Sequence, residues 1–218
     1  MTFDPLPAEL GWIHRAPTTQ AQPTTAGVAV RRATAEDAPF LWEVLALAVT
    51  AEPPWTVAQA RAEPGVAVYL AGWPRAGDLG VVAVDDRDDT GPRLGAAWYR
   101  RFTSEAPGYG FVDEATPELT IGCVADARGR GIGRQLLDAL LMGAHDDGVE
   151  RLSLSVDPTN LVARRLYLDL GFAPDGSAEA EAEGSITLVA TTVPGPPDRR
   201  SWFGSPRPDP GKSTRYGI

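Results

Sequence analysis

The chain has 218 residues, 43% of them hydrophobic, and a net charge of −9, enough apolar material to bury one sizeable core. Its single cysteine, Cys123, excludes an internal disulfide, and no Cys and His residues stand at metal-ligand spacing, so no metal is expected. The acidic balance argues against a nucleic-acid partner. No stretch approaches the roughly 20 apolar residues that span a bilayer, and the N-terminus lacks secretory features, so the expectation is a cytoplasmic protein without a membrane partner.

Residues 1–26 carry Pro5, Pro7, Pro17 and Pro23 without a sustained period and read as an arm. VAVRRAT (28–34) then has strand character. Asp37 stands where it can cap a helix with Pro39 in its first turn, and Leu41, Val44, Leu45 and Ala48 fall on one helical face. GVAVYLAGW (65–73) fits a short helix or a strand equally well. DLGVVAVDD and RLGAAWYRRF read as an antiparallel pair across the turn-rich DRDDTGP, with Trp98 and Tyr99 as packing residues.

PELTIGCV (117–124) is a further strand and runs into the knot ARGRGIGRQLL (127–137). Leu136, Leu137, Leu140, Leu141 and Ala144 continue from it as an amphipathic helix stopped near Gly148. RLSLSV alternates as a strand, TNLVARRLYLDLGF reads as a helix closed by Gly171, and SITLVATT (185–192) as the last strand. The acidic DGSAEAEAEG (175–184) connects them, and residues 194–218 form a Pro- and Gly-rich tail whose Trp202 and Phe203 suit docking on the body or on a second subunit. The strand–helix–strand crossover favours parallel pairing inside an otherwise antiparallel sheet. The expected architecture is one α/β (α+β) domain over 27–193 between an arm and a tail.

The knot offers main-chain N–H groups at a helix N-terminus, where unpaired donors and the helix dipole favour an anion. Gly129, Gly131 and Gly133 let a ligand approach the backbone, and Arg128, Arg130 and Arg134 add positive charge. A diphosphate suits that arrangement, and a tight turn alone is the competing reading. Gly133 is followed by Arg134 and Gln135, not Lys and Ser or Thr, which excludes a P-loop. The glycine spacing also fails the dinucleotide fingerprint.

Arg128-x-x-Gly131-x-Gly133 before a Leu-Leu helix, with Asn160-x-x-Ala163-x-x-x-Tyr167-x-x-x-Gly171-Phe172 downstream, resembles the GCN5-related N-acetyltransferase (GNAT) superfamily. The resemblance spans about residues 28–193 and is strongest over 118–172. It implies a mixed, mostly antiparallel central sheet with helices on both faces and a parallel pair splayed at an acyl-CoA site. It also implies acetyl-CoA as co-substrate and an amine-bearing acceptor. Family members are often dimeric, so a homodimer is an expectation too.

On matching residues, the pyrophosphate falls to Arg128, Gly129, Arg130, Gly131, Ile132, Gly133 and Arg134. The pantetheine arm falls to the main chain of Gly122, Cys123 and Val124, one N–H polarising the thioester carbonyl, and to Asn160 and Arg164. Tyr167 is implied as the acid that protonates the leaving thiolate; a core tyrosine is the bland alternative. An amine must lose a proton before it attacks, and Glu118, on the strand beside the thioester, is the favoured base against a solvated strand-end carboxylate. A second family position for the base is Ser155 here, which closes that route. Tyr109, Phe111, Asp113 and Glu114, in the loop before this strand, are candidates for acceptor contacts. Cys123 reads as a small buried hydrophobe. The competing functional reading is an acyl-CoA-binding sensor or interaction module without turnover.

Overall fold

The computed structural model describes residues 27–49, 53–87, 91–175 and 184–193. The expected arm, the expected tail and all but the ends of the acidic 175–184 stretch lie outside the described residues. Strand β1 (Val28–Arg32) buries Val28 and Val30 on one face, the period-2 pattern of a half-buried strand. One tight helical turn (Ala35–Asp37) then leads into α1 (Ala38–Ala48).

Asp37 does not cap α1 through its side chain. Its carboxylate turns back to accept the Thr34 N–H at 2.9 Å, Arg31 Nη1 at 2.7 Å and Arg93 Nε at 2.9 Å. Burial opposes ionisation there, but these donors outweigh it and hold the carboxyl well below the usual carboxylate range. The α1 face is also wider than its spacing suggests: Leu41, Val44 and Leu45 are buried as expected, together with Phe40, Trp42 and Ala46, whereas Ala48 at the last turn is exposed. The extra burial follows from α2 (Val57–Ala62), which packs along α1 and sets Arg61 over the Trp42 ring at 4.3 Å. The ambiguous 65–73 stretch resolves as the short helix α3 (Pro64–Ala67) followed by turns.

Strands β2 (Leu79–Asp85), β3 (Arg93–Arg100), β4 (Glu118–Cys123) and β5 (Arg151–Val156) follow, with α4 (Ile132–Asp146) between the last two. After α5 (Leu161–Asp169), the two-residue β6 (Ala173–Pro174) and β7 (Ile186–Thr191) complete the described chain. Among the described residues the strands form one sheet of seven in the order β1-β2-β3-β4-β5-β7-β6. Its pairs are antiparallel except β4 with β5, as the crossover through α4 requires.

Both faces of the sheet are covered. One apolar cluster joins α4 to Val81, Ala97, Tyr99, Leu119 and Leu152, and the other joins α1, α2 and α3 to Val82, Ala96 and Trp98. A charge lies inside the second layer. Arg100, 1% exposed, pairs with Asp78 at 2.5 Å and also donates to the carbonyls of Val68 at 2.8 Å and Ala71 at 3.0 Å. Removing one member of such a pair strands the other charge in the core. Arg100→Leu is therefore expected to cost about 3–5 kcal/mol in urea denaturation, and adding Asp78→Leu should recover part of that loss.

Candidate active site

The site forms where the sheet opens. The parallel ladder between β4 and β5 registers one residue pair, Glu118 opposite Ser153, with the Ser153 N–H donating to the Pro117 carbonyl at 3.0 Å. Beyond that pair the strands diverge. On its other side β4 stays paired with β3 from Arg100↔Glu118 to Gly95↔Cys123, and the Val124 N–H donates to the Leu94 carbonyl at 3.1 Å. Alternation along an antiparallel ladder then directs the N–H groups of Leu119, Ile121 and Cys123 away from β3, into the opening. Of the three main-chain positions expected to face a ligand, Cys123 offers its N–H, while that of Val124 is taken by β3.

The knot follows a tight turn at Ala125–Ala127 and delivers its glycines to different tasks. Gly129 and Gly131 adopt φ of +72° and +76°, left-handed backbone that favours glycine, and Gly131 precedes the first residue of α4. Gly133 instead admits a neighbouring helix, since a Cβ there would lie 3.3 Å from Leu166 Cδ2 of α5. The first turn of the 15-residue α4 presents N–H groups with no intrahelical acceptor. Arg128 Nε donates to the Cys123 carbonyl at 3.3 Å, and the field of Arg130 reaches the Asp85 carboxylate. Arg134 Nε is buried and lacks a hydrogen-bond partner among the described residues. This is a run of donors and positive charge of the kind that favours an anion.

Glu118 is 3% exposed, which removes the reading of a solvated strand end. It lies on the α1 face of β4 with Thr120 and Gly122, opposite Leu119, Ile121 and Cys123, as alternation requires. Its Oε1 accepts the Tyr69 hydroxyl at 2.7 Å, and its Oε2 is buried with no hydrogen-bond partner among the described residues. Burial raises its pKa to about 7, against the opposing pull of Tyr69 and of the nearby Gly110 N–H. The loop before β4 lies over it: a Cβ on Gly108 would sit 2.1 Å from Oε2, and one on Gly110 would sit 2.6 Å from the Leu154 carbonyl carbon. Glycine is the side chain that fits at both places.

Tyr167 sits on the opposite face. It is 8% exposed, packs against Phe172 with ring centroids 5.8 Å apart, and has its pKa pushed up to about 12 by burial and by the Cys123 thiol. It is thus a protonated phenol at neutral pH. Cys123 is partly buried, and burial raises its thiol as well. Asn160 caps α5, its Oδ1 accepting the Ala163 N–H at 3.1 Å, and Arg164 Nη1 donates to the Pro158 carbonyl at 2.9 Å. Both hold the start of α5 in place.

The loop candidates separate. Tyr109 is 56% exposed and stacks on Tyr69 at 6.2 Å, beside Glu118. Asp113 pairs with Arg151 at 2.7 Å, and Glu114 accepts the Ser104 N–H and hydroxyl, each at 3.2 Å, so both carboxylates brace the loop. Phe111 packs into the α1 layer. Sequence reasoning missed Tyr69, and with it the Arg100–Asp78 pair that holds its segment. An arginine at the end of an apolar strand was the available signal.

Comparison with known proteins agrees with this geometry. The Acetyltransferase (GNAT) family model matches residues 45–172, more than half of the chain. A mycothiol acetyltransferase of Beutenbergia cavernae is 43% identical over 63 residues, a stretch that covers 28% of this chain and 21% of that protein's length. The structure of a GCN5-related N-acetyltransferase from Kribbella flavida aligns with a TM-score of 0.54 at 25% identity, covering 77% of this chain and 99% of that one. A phosphinothricin acetyltransferase from Sinorhizobium meliloti, determined in complex with acetyl-CoA, aligns with a TM-score of 0.56 at 21% identity, over 76% of this chain and 89% of that one. The matched family model, set on a sheet that opens beside a glycine–arginine helix start, shows that the chain belongs to the GNAT acetyltransferase family.

Proposed function

We propose that the chain transfers an acetyl group from acetyl-CoA to a primary amine by direct attack, with Glu118 as base and Tyr167 as acid. The observation that carries this reading is the Glu118 carboxylate: buried, fixed through one oxygen, without a hydrogen-bond partner at the other among the described residues, and at a pKa of about 7 poised to change protonation near neutrality. The donor set of the knot fits the pyrophosphate of coenzyme A, with Gly129, Gly131 and the first turn of α4 supplying N–H groups and Arg134 a buried, unpartnered Nε. Acetyl-CoA brings an activated thioester to the opening between β4 and β5. There the Cys123 N–H is the group directed to polarise a carbonyl oxygen.

Glu118 takes the proton of the acceptor ammonium at Oε2, and Tyr167, held protonated by burial, gives its proton to the departing thiolate. The two work from opposite faces of β4, so each keeps its own protonation state. The exposed ring of Tyr109 stacks on Tyr69, whose hydroxyl bonds the carboxylate, and is the candidate for acceptor contact. An acidic surface suits a cationic acceptor.

With acetyl-CoA and a panel of amines, thiol release should rise with pH through about 7 as Glu118 ionises. Glu118→Gln should lower kcat/KM by roughly 10²–10⁴-fold and abolish that inflection. Tyr167→Phe should lower kcat by about 10²-fold with little change in KM; unchanged turnover would remove Tyr167 from the acid role. The same carboxylate should tilt stability. Its folded pKa of about 7 lies above its ordinary 4.5, so between those values the folded chain retains a proton that the unfolded chain has released. Stability then falls as pH rises through that window. Melting of Glu118→Gln across the same range should lose that part of the slope.

A further inference from the structure

We infer that Tyr69 is a positioning residue for the Glu118 carboxylate: its hydroxyl fixes Oε1, leaves Oε2 to the acceptor, and ties the loop at Tyr109 across the site. The inference rests on the proposed role of Glu118 and concerns how that role is set up. Tyr69 donates to Oε1 at 2.7 Å and accepts the Tyr109 N–H at 2.6 Å. One hydroxyl proton and one lone pair are thereby committed, so neither can turn to another partner without breaking a contact of the site. Burial, and then the adjacent carboxylate, lift the Tyr69 phenol far above the usual tyrosine range, so it remains a donor at every working pH.

The placement of Tyr69 is over-determined by β3. Trp98 Nε1 donates to the Tyr69 carbonyl at 3.0 Å, and Arg100 Nη1 holds the carbonyls of Val68 and Ala71 on either side. The ring packs against Phe102 at 4.9 Å and Tyr109 at 6.2 Å. A Cβ at Gly108 would meet both Oε2 and the Tyr69 hydroxyl, the latter at 2.7 Å, so the loop is cut to lie on this pair. Among the described residues, the other groups around the carboxylate are the Gly110 N–H, which also favours the charged form, and side chains that are uncharged or already matched. Arg100, opposite on β3, is satisfied by Asp78 and two carbonyls; Ser153, opposite on β5, is neutral; and the Tyr109 hydroxyl lies toward Gly65.

Tyr69→Phe keeps the ring and removes both hydrogen bonds. Carboxyl ¹³C titration of the protein alone, with Glu118→Gln identifying the signal, should show the Glu118 pKa rising by about one to two pH units, because a donor to the charged form is lost. Amide hydrogen exchange at Tyr109 should quicken. In turnover, the acid limb of kcat/KM should move upward by the same amount, with KM for acetyl-CoA within about twofold of the wild type. An unmoved Glu118 titration in a folded Tyr69→Phe protein, or unchanged exchange at Tyr109, overturns the inference. A shifted titration with an unshifted rate profile upholds the hold of Tyr69 on the carboxylate and removes Glu118 as the base instead.

Discussion

A guanidinium is tolerated inside an apolar layer when its donors are matched, and Arg100 meets that condition with one carboxylate and two main-chain carbonyls. The partners it recruits, Val68, Ala71 and Asp78, belong to a segment with little regular structure of its own. That segment is ordered from β3 outward. Tyr69 stands in its middle, and through Tyr69 the order passes to Glu118 and to the loop ahead of β4. Much of what surrounds the carboxylate thus depends on a residue that does not itself hydrogen-bond to it.

Strand β4 separates two buried titratable groups. Its alternation sends Glu118 toward α1 and Cys123 toward α4, beside Tyr167. Burial then raises both groups, with different results. It raises a carboxyl until its proton is exchangeable near neutrality, and it raises a phenol until its proton is securely retained. Gly122 serves the same geometry, since a Cβ there would lie 3.0 Å from Val44 Cγ1 and push α1 off the strand.

What could be read from the chain itself was whatever lies close together along it. The strand at 118–123, the knot and the long helix are consecutive, and their periodicities and glycine positions carried the fold and the glycine turn before α4 into view. The helix that starts at Asn160 and carries Tyr167 was legible for the same reason. The roof over Glu118 was not, because it depends on Tyr69, Gly108 and Gly110 meeting across the fold, and single residues 8 to 49 positions away leave no local period. Asp113 and Glu114 illustrate the converse. Their sequence position beside the strand suggested acceptor contacts, whereas their carboxylates bind Arg151 and Ser104. Asp37 likewise stood at a cap position and found stronger donors in two arginines, one of them 56 residues distant.

The brevity of the parallel pairing, one registered pair before divergence, gives the sheet an edge in its interior. An edge strand ordinarily invites another chain to pair with it, and proteins guard such strands with charge, bulges or covering loops. Here the exposed rim of β4 extends only from Leu119 to Cys123, between an overlying loop on one side and a helix start on the other. The fold thus keeps a short run of unpaired main-chain groups inside the sheet, bounded by a loop and a helix start.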